Sequence, residues 1–454
     1  MVNVRNVAFS FAFVGMIGLT ACGAGLGTSP SVDPQSLKLE RMLGSSKIQH
    51  VVIVVQENRS FNNLFMGYPG ATTQNYGYTT SGKKVKLQPV PLEAPYDMGH
   101  DLDVFLNECN GTGSIPGTNC QMNGFNKDPA TCGDHCPLKY PAYAYVPKHE
   151  TKPYWDMAGQ YVLADQMYPS NLDESSFISH QYIIAAQAMH ASGFPSDTEW
   201  GCEGPPGDVV GILSQQRKFP DGGESVCLTD TSLGQEADAA GVSWAFYSAP
   251  VGPKGAGGWN GYQANQYVYN SPDWQNDYIT PPTQFLKDVS KGKLRQISWI
   301  TPTTLNSDHA GYRSNTGPAW VASIVNAVGQ SQYWDSTAIF IIWDDPGGFF
   351  DPEPPAYIDY DGFGIRIPML IVSAYAKKGH VSHVQYEHGS ILRFAEDVFG
   401  LGQLSASDSR ATSPAADCFD FKKPPRAFKP IASALGKEYF LRQSQVPGPP
   451  DSDL

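Results

Sequence analysis

Valine and isoleucine fill residues 51–55 without interruption, and the polar residues Gln56, Glu57 and Asn58 follow directly. An apolar run of this length predicts a strand buried on both faces, which is the usual environment of a strand in a parallel sheet. Glu57 and Asn58 then lie at the carboxyl end of that strand, where open α/β sheets bind their ligands. Side-chain oxygens at this place suit a cation. Alternatively, Asn58 or Ser60 simply caps the helix that follows.

A second apolar run, at residues 338–343, ends in the adjacent acids Asp344 and Asp345. Like charges at the end of a buried strand repel each other unless a cation or hydrogen-bond donors compensate for them. If the two strands are neighbours, their ends together present three carboxylates and one amide oxygen. The two runs therefore predict a site for a hard metal ion.

Four stretches of the sequence resemble one protein family and occur in that family's order between residues 48 and 401. They are VVIVVQENRSFNNLF, TGPAWVASIVNAV, WDDPGGFFD and YEHGSILRFAEDVFGL. The family is the phosphoesterase family of bacterial and plant non-specific phospholipases C and acid phosphatases. The resemblance implies an alkaline-phosphatase-like α/β fold, with a mostly parallel central sheet flanked by helices and loop-rich, disulfide-stapled insertions.

The resemblance also implies a set of metal ligands. A divalent ion would be bound by Glu57, Asn58, Asp344 and Asp345. Oxygen ligands suit Mg, Ca or Mn, and carboxylates also bind Zn. The sequence therefore predicts a divalent metal cofactor without fixing its identity.

His100 and His309 are candidate proton donors. His100 lies in the segment DMGHDLDVF, and the resemblance implies that it contacts the phosphoryl group as a hydrogen-bond donor or proton shuttle. A histidine among carboxylates is otherwise typical of an exposed ion pair. His309 follows a predicted strand at residues 294–301 and resembles the family's second active-site histidine, which would protonate the leaving group. The alternative is a loop histidine without a role.

The nucleophile is the point at which the sequence departs from the family. The family carries a Thr or Ser in the stretch that matches SSFISHQYIIAAQAMHASG, and alignment through His180 puts Gln187 in its place. A glutamine cannot form a phosphoenzyme. Either the register shifts so that Ser176, Ser179 or Ser192 serves, or metal-bound water attacks with Gln187 orienting it, or the protein binds its ligand without turnover. His180 and Gln187 both remain candidate catalytic residues.

Three further residues lie within or next to the stretches that resemble the family. Pro352 replaces the histidine of the family's usual FYDHVPP segment, and Asp351 either compensates for that loss or only bends the loop. His388 directly precedes a predicted helix at residues 390–399, where a polar residue usually satisfies backbone groups. His388 is therefore expected to be structural.

The N-terminus has the features of a targeting segment. Arg5 precedes an apolar stretch at residues 7–19, and the tetrapeptide LTAC that follows resembles the bacterial lipobox. Cleavage before Cys22 and lipid attachment to its thiol would anchor the protein at a membrane, whereas a plain secretory signal is the alternative. In both cases the protein is expected to be exported from a bacterial cell, and to be periplasmic or secreted if it is not anchored at the membrane or cell surface.

The sequence predicts four segments. They are a signal peptide at residues 1–21, a lipid-anchored flexible tether at 22–46, a phosphoesterase domain at 47–444 and a flexible tail at 445–454.

Export permits disulfides among the remaining seven cysteines. Proximity along the chain leaves Cys418 unpaired, although proximity alone does not fix connectivity. Alternatively, zinc binds at the CxxxC motif beside His135. The predicted pairs are Cys109 with Cys120, Cys132 with Cys136, and Cys202 with Cys227.

A formal net charge of −13 argues against a nucleic-acid partner, because phosphate backbones are bound by basic surfaces. The predicted function is that of an exported metal-dependent phosphoesterase, similar to phospholipase C or to acid phosphatase. Its substrate would be a phospholipid or a small phosphomonoester. The alternative is a non-catalytic surface protein that keeps the fold and the metal but lacks the nucleophile.

Overall fold

The computed structural model describes residues 47–196, 200–219, 222–251 and 259–444, and within them nine strands form one central sheet. The predicted signal peptide, the tether with Cys22 and the C-terminal tail lie outside the described residues. In chain order the strands are β1 (His50–Gln56), β2 (Val162–Tyr168), β3 (Trp244–Tyr247), β4 (Tyr278–Ile279), β5 (Ile297–Ile300), β6 (Thr337–Trp343), β7 (Ile367–Ser373), β8 (His380–Ser382) and β9 (Tyr386–Glu387).

The spatial order of the sheet is β4, β3, β5, β1, β6, β7, β2 and β8, with β9 also paired to β2. In the described sheet, β7 runs antiparallel to its neighbours β6 and β2, and the other pairs are parallel. The strands other than β7 therefore point the same way and end at one edge, which we call the carboxyl edge. The predicted mostly parallel α/β sheet is confirmed.

Three smaller sheets in the described residues lie outside the central sheet. They pair Tyr76–Tyr78 with Lys84–Lys86, Gln88–Pro89 with Ala144–Tyr145, and Val209–Ile212 with both Ala191–Ser192 and Gly223–Ser225.

Helices connect most of the strands of the central sheet. None of the described helices is long and apolar enough to cross a membrane. They are α1 (Phe61–Phe65), α2 (Leu102–Cys109), α3 (Lys152–Gln160), α4 (Ser176–Ala185), α5 (Leu233–Ala240), α6 (Gln266–Tyr269), α7 (Asp273–Asn276), α8 (Gln284–Ser290), α9 (Gly317–Gly329), α10 (His388–Phe399), α11 (Ala406–Arg410), α12 (Ala415–Cys418) and α13 (Lys437–Arg442).

Both faces of the sheet are covered by helices. Phe340 and Trp343 lie three positions apart on β6, so their side chains point to opposite faces. Phe340 contacts Phe394 of α10 with ring centroids 5.0 Å apart, and Trp343 contacts Tyr154 of α3 at the same distance. Burial on both faces explains why β1 and β6 are continuous apolar runs.

Two predicted helices differ from the structure. Residues 154–167 have helix-like apolar spacing, but α3 ends at Gln160 and the following residues form β2, because Val162 and its neighbours pair with β7 and β8. The helix predicted at 390–399 begins two residues earlier. Its N-cap is Glu387, and the Ser390 hydroxyl accepts a hydrogen bond from the Glu387 backbone N–H as part of a capping box.

An insertion at residues 78–153 packs against the carboxyl edge through its own hydrophobic core. That core joins Phe105 and Tyr143 of the insertion to Phe349 and Phe350, which follow β6. The Tyr143 and Phe350 rings stack with centroids 5.3 Å apart. The loop after β6 is therefore fixed by the insertion.

The three predicted disulfides are all present among the described residues, and Cys418 is free and buried. Two of them, Cys109–Cys120 and Cys132–Cys136, close loops within the insertion. The Cys132–Cys136 bond leaves no thiolate at that motif for the alternative zinc site.

A buried acid on α10 predicts how stability depends on pH. Burial and the neighbouring Asp408 carboxyl raise the pKa of Glu396 to about 10. The folded state therefore holds a proton that the unfolded state releases near pH 4.5, so the free energy of unfolding falls as pH rises between these values. Glu396→Gln stays neutral and should be more stable than the wild type at pH 8, by on the order of 1 kcal/mol. Urea titrations at pH 5 and pH 8 measure this, and exposed Glu438→Gln, which should show no such gain, is the control.

Candidate active site

The ends of β1 and β6 lie side by side, as the sequence predicts. The two strands are parallel neighbours whose last aligned pair is Gln56 with Trp343. Glu57 and Asn58 therefore leave β1 next to the point where Asp344 and Asp345 leave β6. All four residues are fully buried.

Asn58 connects the two strand ends. It adopts a left-handed conformation, with φ 57°, and its backbone N–H donates to Asp344 Oδ1 at 3.1 Å. Its side-chain Nδ2 lies 3.3 Å from Asp345 Oδ2. Gly347 makes this arrangement possible, because a Cβ at that glycine would lie 2.2 Å from the Asn58 carbonyl oxygen.

Ser176 brings a hydroxyl to the same group of residues. It is the first residue of α4, which follows β2 at the carboxyl edge, and it is fully buried. Its Oγ donates to Asp345 Oδ2 at 3.2 Å and accepts from Asn58 Nδ2 at 3.3 Å. A hydroxyl at a helix N-terminus beside carboxylates is well placed to become a nucleophile toward an anionic group.

His180 lies one helical turn after Ser176 and faces the same residues. Its Nε2 is 3.3 Å from each Glu57 carboxylate oxygen and 3.6 Å from Asp344 Oδ2. Each of Glu57, His180 and Asp344 offers one ligand atom, and these atoms all lie within 4.8 Å of one another. This spacing fits a common metal ion.

Two buried oxygen atoms in the same group of residues also favour a bound cation. Asn58 Oδ1 and Asp344 Oδ2 are buried oxygens without a hydrogen-bond partner in the described part of the chain. Buried polar atoms of this kind are costly unless a ligand satisfies them. The four predicted metal ligands, with His180 beside them, are therefore suited to a divalent cation.

His100 is brought to the site by the insertion. Its Nδ1 donates to the Met98 carbonyl at 2.7 Å, and its Nε2 accepts from Asn58 Nδ2 at 2.6 Å. Gly348 permits this approach, because a Cβ there would lie 2.4 Å from the Gly99 carbonyl oxygen. His100 is buried rather than an exposed ion-pair partner.

His309 lies beside His100, with ring centroids 5.6 Å apart. It follows β5 at the carboxyl edge, and the preceding residue Asp308 is held by two contacts. The Tyr154 hydroxyl donates to Asp308 Oδ2 at 2.6 Å, and Arg59 Nε donates to the Asp308 carbonyl at 2.8 Å. The two predicted histidines are thus brought together by separate parts of the chain.

The structure does not bring Gln187 to this group, which corrects the alignment made from the sequence. Ser176 begins α4, whereas Gln187 follows the Ala186 C-cap at the other end of the helix. At about 1.5 Å per residue, the two ends of the helix are about 15 Å apart. Gln187 instead lines a small cavity with Tyr182 and Arg410.

The other serines weighed as replacements have different contacts. The Ser179 Oγ accepts from Asn171 Nδ2 at 3.2 Å, and Ser192 donates to the Asp173 carboxylate. Ser176 is the candidate that contacts Asp345. The spacing of four residues between Ser176 and His180 is the sequence signal for this, because residues i and i+4 share one face of a helix.

His388 is a residue whose position the sequence did not indicate. It begins α10 after β9, and its buried ring faces Asp344, His180 and the Trp343 carbonyl. Burial lowers the pKa of His388 to about 4, so the ring is neutral near pH 7. It therefore adds an uncharged imidazole beside the predicted metal ligands.

Asp351, next to the unusual Pro352, has a structural role. Its carboxylate forms a buried ion pair with Arg366, with Nε to Oδ1 at 3.1 Å and Nη2 to Oδ2 at 3.1 Å. The same carboxylate accepts from the Asn62 backbone N–H at the start of α1. Ser60 is the N-cap of that helix, as one interpretation of the sequence predicted. Asn58 instead contacts Asp344 and Asp345.

The fold and this group of residues define a hydrolase-like α/β protein with a serine, histidines and residues suited to bind a cation at the carboxyl edge. The model of the phosphoesterase family matches residues 48–402. The chain therefore belongs to the phosphoesterase family, which confirms the resemblance seen in the sequence.

Three relatives show the range of this family. The chain is 24% identical to a non-hemolytic phospholipase C of Burkholderia pseudomallei over 85% of its length, and 24% identical to the hemolytic phospholipase C of Pseudomonas aeruginosa over 80%. The aligned regions span 60% and 54% of those two relatives. Non-specific phospholipase C6 of Arabidopsis thaliana is 28% identical over 34% of the chain and 39% of its own length.

Solved structures give weaker likenesses. A sulfatase from Pseudoalteromonas sp. matches 87% of the chain and 78% of its own with a TM-score of 0.43 and 9% identity. An alkaline phosphatase superfamily protein from Vibrio parahaemolyticus matches 87% of the chain and 79% of its own with a TM-score of 0.35 and 11% identity. At these scores the likenesses carry no argument about function.

The contact between Gly347 and Asn58 can be tested by adding one methyl group. Gly347→Ala places a Cβ 2.2 Å from the Asn58 carbonyl at φ 61°, whereas Gly241→Ala, at φ 69°, meets nothing within 4 Å. The left-handed backbone costs each variant about 1 kcal/mol. Gly347→Ala should lose clearly more unfolding free energy than Gly241→Ala in urea titrations. Equal losses would show that the Asn58 loop moves freely.

Proposed function

We propose that this protein hydrolyses phosphoester bonds with Ser176 as its nucleophile and with a divalent metal ion. The observation that carries the proposal is the contact of Ser176 Oγ with Asp345 Oδ2 at 3.2 Å, between the ends of β1 and β6. This hydrogen bond places the proposed nucleophile beside the residues suited to bind metal. Membership of the phosphoesterase family supports the same chemistry.

The metal would be held by Glu57, Asn58, Asp344 and Asp345, with His180 beside them. When bound, such an ion lowers the pKa of the nucleophile and neutralises charge on the phosphoryl oxygens. The oxygens suit Mg, Ca or Mn, and the nearby imidazole nitrogen favours Mn or Zn over Ca.

The side chains divide the proton transfers between them. Ser176 passes its proton along its hydrogen bond to Asp345, and its Oγ forms a bond to phosphorus as the bond to the leaving oxygen breaks. His309 gives a proton to that leaving oxygen. His100, next to Asn58, faces the phosphoryl group as a proton carrier. Water then hydrolyses the phosphoserine, His309 accepts a proton from the water, and Asp345 returns one to Ser176.

The rival proposal of a non-catalytic binding protein rested on Gln187 at the nucleophile's place. Ser176 removes that reason, because a hydroxyl is present where the chemistry needs one. We therefore favour the enzyme.

We further propose that the protein is exported and anchored through Cys22, a proposal that rests on the sequence of residues 1–22. Lipid phosphodiesters and small phosphomonoesters are both candidate substrates. The names of the relatives favour the phospholipid.

Substitutions of two serines of α4 test whether Ser176 is the nucleophile. Ser176→Ala should lower kcat for p-nitrophenyl phosphate and p-nitrophenylphosphorylcholine by about 10³-fold or more, because the residual rate then comes from binding alone. Ser179→Ala and Gln187→Ala are the controls and should retain activity. A Ser176→Ala variant that keeps wild-type turnover would disprove the assignment.

Substitutions of two acids, one at each end of β6, test whether the protein binds a metal ion. Asp345→Asn removes a proposed ligand at the carboxyl end of β6, whereas Asp335→Asn changes an exposed acid just before the same strand. Elemental analysis after dialysis should find the metal in the wild type and in Asp335→Asn but not in Asp345→Asn. EDTA should abolish turnover, and one divalent metal should restore it. Full activity in EDTA would rule out metal dependence.

A further inference from the structure

The ring of His309 is held in one orientation. Its Nδ1 donates to the Ala310 carbonyl at 2.7 Å, and its backbone N–H donates to Ser307 Oγ at 3.2 Å. Trp259 stacks on the ring at 5.8 Å with an interplanar angle of 26°, and Tyr312 meets its edge at 4.8 Å. Because Nδ1 donates to a carbonyl, the proton transfer proposed for His309 uses Nε2.

Asp97 lies against the other nitrogen. Its Oδ2 is 3.6 Å from His309 Nδ1, and it belongs to the insertion rather than to the loop that carries the histidine. Its Oδ1 accepts from the Met98 backbone N–H at 3.0 Å, and its own N–H donates to Thr131 Oγ1 at 2.8 Å. The carboxylate is therefore fixed independently of His309.

The backbone is shaped for this approach. Gly311 has φ 84°, and a Cβ there would lie 3.2 Å from the Asp97 Cβ. The Gly311 N–H also donates to the Ala94 carbonyl at 3.2 Å, which ties the loop after β5 to the insertion. A larger residue at this position would push the carboxylate away from the ring.

We propose that Asp97 is a positioning residue that stabilises the imidazolium form of His309, whose Nδ1 proton is already donated to the Ala310 carbonyl. A carboxylate beside an imidazole favours the charged ring, so Asp97 raises the affinity of His309 for its second proton. This rests on the proposed function, in which His309 protonates the leaving oxygen. Asp97 itself touches no reacting atom.

Other groups also act on the charge of His309. His100 and Tyr312 face the ring, Asp308 precedes it in the chain, and Arg59 contacts the Asp308 carbonyl. Asp97 acts in addition to these groups, and its carboxylate Oδ2 lies 3.6 Å from His309 Nδ1. Its removal should therefore lower the affinity of His309 for its proton.

A comparison of two leaving groups distinguishes this role of Asp97 from a purely structural one. An alkyl alcohol needs a proton as it departs, whereas p-nitrophenolate does not. Asp97→Asn should slow hydrolysis of an alkyl phosphoester by about 10²-fold or more while slowing the p-nitrophenyl ester of the same phosphoryl group less than tenfold. Asp103→Asn, an exposed acid of the same insertion, should slow neither. Equal losses on both esters would overturn the proposal.

The pH profile and a double variant give two further readouts. The acid must be protonated to act, so the rate falls as pH rises through its pKa. Asp97→Asn should move this alkaline limb to lower pH by about one unit. In a His309→Gln background, Asp97→Asn should have no further effect, because the two residues act as one unit. Additive losses would mean that Asp97 acts elsewhere.

A measurement without turnover separates this proposal from the proposed function. NMR of ¹⁵N-histidine, assigned with His309→Gln, should show a lower pKa of His309 in Asp97→Asn than in the wild type. If the wild type hydrolyses neither ester, the proposed function fails, and the NMR titration still tests the pair. An unchanged pKa of His309 in Asp97→Asn would overturn the positioning role.

Discussion

The parallel pairing of β1 with β6 is the interaction on which the rest of the structure depends. Adjacent strands lie about 4.8 Å apart, so two chains that end in register bring their next residues within the reach of one ion. A slip of one residue would turn every side chain of the pair to the other face. Asn58 then bridges the strands, and Gly347 leaves room for its backbone. The position of the serine and of both histidines is defined relative to this pair.

The central sheet and the insertion contribute to the site in different ways. The central sheet and α4 supply the carboxylates, which follow β1 and β6, and the side chains of Ser176 and His180 in the first turns of the helix. The insertion supplies His100 and Asp97, and it is held by its own core and by two disulfides. Residues suited to bind metal thus lie on the central sheet and α4, while the positions of His100 and Asp97 depend on how the insertion packs.

Strands buried on both faces were the easiest elements to predict, because β1 and β6 are short continuous apolar runs. β2 was missed because its residues continue the apolar spacing of α3, and only pairing with β7 and β8 decides between helix and strand. The metal ligands followed from two strand ends and a family resemblance. Ser176 was weighed only as an alternative, because the alignment was counted forward from His180 rather than back to the preceding turn. The contact of Asp97 with His309 had no sequence signal, since more than two hundred residues separate them.

The reversal of β7 has a consequence for how this site can diversify. Because β6 ends and β7 begins at the same edge, the connection at residues 344–366 never has to cross the sheet. Its first part, as far as Asp351, is fixed by the site and by the insertion, and its end is fixed by Arg366, which pairs with Asp351. The exposed and half-buried stretch at 352–361 can lengthen or shorten without shifting any strand. Evolution can therefore vary this one connection while the chemistry at the carboxyl edge stays the same.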